Sequence, residues 1–491
     1  MSSGSRWLVL TALLLACRGG LAATPSFSIG ANFSGSTLLQ SGFIPPDTMG
    51  AIGPDDYVEL LNGRYARYTK AGVLQNSSDL NTFWNTALAA GGGGSVQGSY
   101  AFDPRVMYDR HSGRWFATAV DALNSASSGI LVGVTTGSDP SPTNWRGFRF
   151  AADPFGLRWA DYPTIGINDT WVTISNNMFG LSGTVDPSIS VLTIPKSSLV
   201  GGTPSVAGST YFIDATATSA NLLVYSSGFT LHPVYDYSAG SSGTAYLMSR
   251  YNANFIQVST LTGTASNPTL TGARGVPTTT RTMGDLNAPQ LGGNDTIDAG
   301  DARFSGSPVL VNGKIWGVHT FDSGGIARTA VYRIDADTND LEYDAVVPLT
   351  SGSMWAYFPS IAVNPSGQIV VGFSGSDDAT YASSYAIAGS FDGVNVTWGT
   401  EQLLKAGLSN YQQLDGIGRN RWGDYSAIQV DPVDPSRFWT IQEFASSTPN
   451  VWQTQVTELV LQPVPEPGTA LVAVGGLAGV GCLRLRRRGR G

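Results

Sequence analysis

Hydrophobic positions in this chain fall in short bursts of Val, Ile, Trp, Tyr and Thr, each ended by Gly, Asn, Asp or Pro. That is the pattern of many short strands joined by tight turns. One unit recurs: a Pro- or Asp-marked start, a short apolar strand, a turn, and a second strand rich in aromatic or β-branched residues. It reads DPRVMYDRHSGRWFATAV from Asp103, DYPTIGINDTWVTISNNM from Asp161, HPVYDYSAGSSGTAYLMSRY from His232 and SPVLVNGKIWGVHTF from Ser307. It returns as FPSIAVNPSGQIVVGFSG from Phe358 and GDYSAIQVDPVDPSRFWTIQEF from Gly423, and GAIGPDDYVELLNGRYARYTKAGVL from Gly50 is a plausible seventh copy. Successive units start roughly 50 to 75 residues apart, room for one four-stranded sheet per repeat. The turns His111-Ser112-Gly113, Asn312-Gly313 and Pro365-Ser366-Gly367 put glycine where a hairpin needs positive φ.

The expectation is an all-β chain folded as a six- or seven-bladed β-propeller. Two consecutive β-sandwich domains are the alternative, but no Pro- or Ser-rich linker divides the body into halves. The best helical candidate is Asn81 to Ala90, running into the four glycines Gly91 to Gly94, which read as a flexible loop.

The two ends read differently from the body. Residues 1–23 have the form of a signal peptide: Arg6 as the positive region, Trp7 to Ala16 as the apolar region, and small residues at Gly20-Leu21-Ala22-Ala23 for cleavage. A competing reading makes Cys17 a lipidated N-terminus, with Leu15 and Arg18 as poor neighbours for it. Residues 464–491 hold a Pro465-Glu466-Pro467 box, an uncharged apolar run of sixteen residues from Gly468 to Leu483, and five arginines, Arg486, Arg487 and Arg488 among them. A run of that length is just short of a comfortable bilayer span, and the arginines place the C-terminus on the cytoplasmic side. A plain membrane anchor leaves the box unexplained. This tail closely resembles the PEP-CTERM sorting signal of Gram-negative bacteria that make exopolysaccharide. The resemblance implies a precursor held transiently in the inner membrane, processed by an exosortase-type protease and delivered to the cell surface or matrix.

Residues 24–463 then form the exported body. Both cysteines, Cys17 and Cys482, lie in the end segments, so that body has no disulfide framework and no cysteine nucleophile. Between Thr24 and Pro463 there are 21 basic and 35 acidic residues, a formal charge of −14. Such a surface repels nucleic acid and suits solubility, cations or neutral glycans.

Patches of the body resemble secreted bacterial proteins with sialidase-like or BNR-type propellers. The resemblance rests on PPDTMGAIGPDDYVELLN (Pro45 to Asn62), DAGDARF (Asp298 to Phe304) and RWGDYSAIQVDP (Arg421 to Pro432). Sialidase chemistry would imply arginines that hold a carboxylate and a Tyr–Glu nucleophile pair at the propeller's centre. Arg105, Arg303, Arg421, Tyr425 and Glu443 are the candidates. The sialidase FRIP motif is missing, and Ser390-Phe391-Asp392-Gly393 with Trp398 only approximates an Asp-box. Buried Arg–Asp pairs tying blades together account for the same residues without catalysis.

Asn294, Asp295, Asp298 and Asp301 cluster oxygen donors on a glycine-rich loop that would suit a structural Ca²⁺, though not at EF-hand spacing. Trp115, Trp159, Trp171, Trp316, Trp355, Trp422 and Trp439 fall at or near strands; any lining a central opening would form a sugar-stacking platform. His111, His232 and His319 have no zinc spacing, and no Gly-x-Ser-x-Gly elbow occurs. These readings favour binding or scaffolding of extracellular polysaccharide, with a glycoside hydrolase or lyase as the alternative. Carboxylates converging in the central funnel separate the second from the first.

Overall fold

Each of the seven recurring hairpins supplies the inner strands of one sheet, and the sheets are the seven blades of a β-propeller. The computed structural model describes residues 24–181, 185–214, 223–238 and 243–462. The signal-peptide segment, the Pro-Glu-Pro box, the apolar run 468–483 and the arginine tail lie outside the described residues. Among those described, no helix is long and apolar enough to cross a membrane.

Blade 1 holds Gly50–Ile52, Asp56–Leu61, Arg64–Thr69 and Leu74–Ser78, and blade 2 holds Ala101–Asp109, Arg114–Asp121, Gly129–Thr135 and Trp145–Ala151. Blade 3 follows with Arg158–Ile167, Trp171–Gly180, Ser188–Pro195 and Thr210–Phe212. The inner strand of blade 4 is only His232–Pro233. The chain then steps sideways, and Tyr235–Asp236 pairs in parallel with Val309–Val311, the inner strand of blade 5. Blade 6 is built on Trp355–Val363 and Gln368–Asp377. Blade 7 runs Ala427–Val430, Arg437–Ala445 and Trp452–Leu461, and its fourth strand is Phe27–Thr37 from the other end of the chain.

That last pairing joins the two ends of the chain in one blade and closes the ring. Glu59 of blade 1 locks it. Its buried carboxylate accepts from Ser36 Oγ (2.5 Å), Thr454 Oγ1 (2.5 Å) and Tyr68 Oη (3.2 Å), joining the closing strand, its partner strand and blade 1.

The expected helix spans Leu80–Gly91. The Asp79 side chain accepts from the Thr82 N–H at 2.8 Å, and Gly92, at φ 74°, ends it. The apolar face, Leu80, Phe83, Trp84, Ala87 and Leu88, is buried. The hairpin glycines Gly113, Gly313 and Gly367 take φ values of 66°, 74° and 77°. Their turns lie at one end of the propeller. The first and last described strands meet at that same end, where Gln368 Nε2 donates to Gln462 O and Asn364 Nδ2 to Pro435 O.

Candidate active site

The opposite end is shaped by bulges in the inner strands. In blades 2, 3 and 6 the register skips between Phe102 and Arg105, Asp161 and Thr164, and Tyr357 and Ser360. Each skip holds a residue at positive φ followed by proline: Asp103 (51°), Tyr162 (53°) and Phe358 (48°). Proline has no N–H to give the ladder, so the break falls where a hydrogen bond is missing anyway. The extra residue re-aims its neighbours, as bulges do beside functional sites.

Asp161, Tyr162 and Phe358 are thereby brought to the wall of a cavity of about 220 Å³ on the propeller axis. Asn177 and Phe179 come from the second strand of blade 3. The long loop before blade 5 contributes Asp298, Asp301 and Arg303, with Asp285 at the exposed rim, and the segment before blade 7 contributes Arg419, Arg421 and Asp424.

Every arginine here has a carboxylate partner. Arg303 Nη2 lies 2.6 Å from Asp301 Oδ2, with its guanidinium 4.7 Å from the Tyr162 ring centroid. Arg421 Nη2 is 2.7 Å from Asp424 Oδ1, and its Nε is 3.8 Å from Asp298. Arg419 pairs with Asp415 at 2.9 Å and approaches Asp298 at 3.8 Å.

Behind Tyr162 and Ser305 of the wall lies Arg105, buried between two aromatic rings. Its guanidinium carbon is 3.3 Å from the Tyr425 centroid and 5.2 Å from that of Tyr162. It donates to Pro163 O and Ser305 O, while Tyr425 Oη donates to Pro104 O. Beyond this plug the axis reopens as a smaller apolar cavity lined by Met107, Val309, Val363 and Val430.

Three carboxylates run in a row inward from the wall, beginning with Asp161. Asp161 Oδ1 and Asp103 Oδ2 accept the same Tyr162 N–H, at 2.8 and 3.0 Å. Asp47 accepts from Asn62 Nδ2 (2.7 Å) and from the Asp424 N–H (3.1 Å). Burial, then the Asp103 charge, raises the pKa of Asp161 well above the usual carboxylate range. Burial, with Asp424 and Asp103 adding to it, does the same to Asp47. Asp301 goes the other way: burial opposes its charge, but the hydrogen bonds and charge of Arg303 outweigh that and lower its pKa.

Of the five catalytic candidates, then, Arg303 and Arg421 reach the cavity wall. Arg105 and Tyr425 lie behind it, against Tyr162, and do not line the cavity. Glu443 is buried behind Gly423, where a Cβ would come within 2.9 Å of Glu443 Oε2; burial, then the Asp424 charge, raises its pKa.

The proposed calcium ligands do not converge on one another. Asp295 is held by Gln412, Asp298 by Arg421 and Arg419, and Asp301 by Arg303. Among the described residues, no three His, Cys, Asp or Glu side chains are grouped to hold a metal ion. Among the described residues no tryptophan lines the cavity, so the expected stacking platform is not made of them. Trp115, Trp171, Trp316, Trp422 and Trp439 are core, with Trp171 Nε1 donating to Ala265 O in blade 4 and Trp422 Nε1 to Ser374 Oγ in blade 6. The cavity's aromatic faces are Tyr162, Phe179 and Phe358. His319 is buried against Tyr332 and His111 meets Tyr237 O. Asp392 accepts from the Val394 and Asn395 N–H groups in an exposed turn, a local role.

Asp161 and Asp424, the carboxylates of most interest, were not singled out by their chemistry. Their signal was an Asp-Tyr pair repeated at the start of two hairpin units, Asp161-Tyr162 and Asp424-Tyr425. The three segments that carry the sialidase-like resemblance also meet here, through Asp47, through Asp298, Asp301 and Arg303, and through Arg421, Asp424 and Tyr425.

The site is thus a carboxylate- and arginine-lined axial cavity of a seven-bladed β-propeller. No family model matches the sequence, and no curated protein matches it. Solved structures do resemble the fold. One is a Penicillium chrysogenum alpha-L-arabinanase complexed with arabinobiose, 13% identical over 74% of this chain and 94% of that one, TM-score 0.38. Another is a Trypanosoma rangeli sialidase mutant displaying trans-sialidase activity, 10% identical over 88% of this chain and 59% of that one, TM-score 0.34. A protein of unknown function from Dyadobacter fermentans is 11% identical over 91% of this chain and all of that one, TM-score 0.29.

Proposed function

We propose that the protein is an exported glycoside hydrolase acting on extracellular polysaccharide at the axial cavity. One observation carries this: Asp161, whose surroundings favour the protonated form, and Asp424, ion-paired to Arg421, line the same cavity within electrostatic reach of each other. Glycoside hydrolysis needs such a pair, one carboxyl to protonate the departing oxygen and one carboxylate on the other side of the sugar. Asp161 is the proton donor in this reading and Asp424 the anionic partner. Arg421 holds Asp424 through Oδ1.

The matrix-scaffold role expected from the tryptophans loses support, because Trp115, Trp171, Trp316, Trp422 and Trp439 are core and the half-buried Trp159 and Trp355 do not line the cavity. The Pro-Glu-Pro box, apolar run and arginine cluster of residues 464–491 support sorting by an exosortase-type protease, with the mature protein at the cell surface or in the matrix. Both described chain ends leave on the propeller face away from the cavity.

The test is incubation of the exported protein with exopolysaccharide, scoring retention on the polymer and release of new reducing ends. Release by the wild type, lost in Asp161→Asn and Asp424→Asn variants of unchanged circular dichroism, is the expected result. Retention without release would instead restore the binding role.

A further inference from the structure

The cavity is blind. Tyr162, Arg105 and Tyr425, all buried, close the axis between it and the apolar cavity below. A polymer cannot thread through such a site. A chain end can enter it.

The charge of the walls restricts what that end can carry. Acidic side chains on the lining outnumber arginines five to three. Arg303, Arg419 and Arg421 are each already paired, with Asp301, Asp415 and Asp424. A sugar carboxylate placed here would have to compete with those anions for its guanidinium, and would face Asp298 and Asp424 while doing so. Even with Asp161 protonated, the described residues of the wall offer an anion no uncommitted cation. Phe179 and Phe358 present apolar faces to a ring, and the carboxylates accept from hydroxyl or ammonium groups.

We infer that the cavity takes a single terminal sugar bearing no carboxylate, either neutral or carrying an amine, and turns away uronic and sialic acids. The inference rests on the hydrolase reading of this same cavity. It reverses the substrate that a sialidase-like arginine cluster would imply.

The test is a panel of monosaccharides, neutral hexoses and pentoses, hexosamines, uronates and N-acetylneuraminate, titrated against the exported protein by saturation-transfer NMR. The matching nitrophenyl glycosides are assayed for hydrolysis in parallel. Neutral and amino sugars should bind, and carboxylated ones should bind about tenfold more weakly or worse. The hexosamine signal should weaken with salt. Asp285→Asn, at the exposed rim, should narrow the ratio between hexosamine and uronate. Equal or tighter binding of uronate or sialate, or no sugar binding at all, overturns the inference. Selective binding of neutral or amino sugars with no glycoside cleaved would remove the hydrolase reading and leave the selectivity standing. Cleavage of acidic glycosides would do the reverse.

Discussion

The guanidinium of Arg105 stacks on the ring of Tyr425, 3.3 Å from its centroid, and among the described residues no carboxylate pairs with it. Its charge is held by two rings and by the carbonyls of Pro163, in blade 3, and Ser305, in the loop before blade 5. Arg105 therefore acts as a central rivet rather than as a ligand for substrate. Replacing it with alanine removes a desolvated cation–π contact and strips two buried carbonyls of their donor. The expected loss is about 3 kcal/mol, read as a lower urea midpoint at constant slope. An unchanged midpoint would mean the ring does not depend on its centre.

Closure of the ring makes a second prediction. Glu59 gathers hydroxyls from the closing strand, from blade 7 and from its own blade, all out of water. Glu59→Ala leaves those donors without an acceptor and should cost about 3 kcal/mol. Limited proteolysis should then release the 27–37 strand before any other segment. Cleavage first elsewhere would place the weak point of the ring at another blade.

Both of these features depend on pairings that local pattern does not carry. The hairpins were legible because alternation, proline and turn glycines are written within some twenty residues. All seven lie where the repeat put them, and the helix ends within a residue or so of its expected bounds. The 27–37 strand was not legible as blade 7's outer edge, since its partner begins at Trp452. The cavity was half legible for the same reason. Arg303 and Arg421 could be nominated from hairpin starts. The convergence of Asp47, Asp103, Asp161 and Asp424 is created by bulges and ring closure, which bring residues hundreds of positions apart into contact.

Glu443 gives a test of opposite sign to the usual carboxylate. Burial and the neighbouring Asp424 hold its folded pKa above the unfolded value of about 4.3, so the folded state binds the proton more tightly. Its contribution is fully present below that unfolded value and is lost as pH rises through the folded pKa. Glu443→Gln, a neutral isostere, should change thermal stability little at pH 4 and raise the melting temperature at pH 8. Because Glu443 lies behind Gly423 and outside the cavity, glycan binding and turnover should both survive. A large loss of turnover with binding retained would move the catalytic pair from Asp161 and Asp424 to Tyr425 and Glu443.

The row Asp47, Asp103, Asp161 predicts how activity should depend on pH. Asp161 must be protonated to act as the donor, so activity should fall as pH rises through its raised pKa. Asp161→Asn removes the proton and should cut kcat by about 10²–10⁴-fold at pH values below that raised pKa, the gap closing as the wild type loses its own proton. Asp103 has a different part, as a positioning residue: it shares the Tyr162 N–H with Asp161 and adds negative charge beside it. Asp103→Asn takes that charge away, which lowers the pKa of Asp161. The alkaline limb of the kcat/KM profile should then move to lower pH, with the maximal rate reduced far less than in Asp161→Asn. Asp103→Glu, which restores the charge, should move the limb back. A limb that stays in place in Asp103→Asn would show that burial alone sets the proton affinity of Asp161, and that Asp103 serves only the bulge.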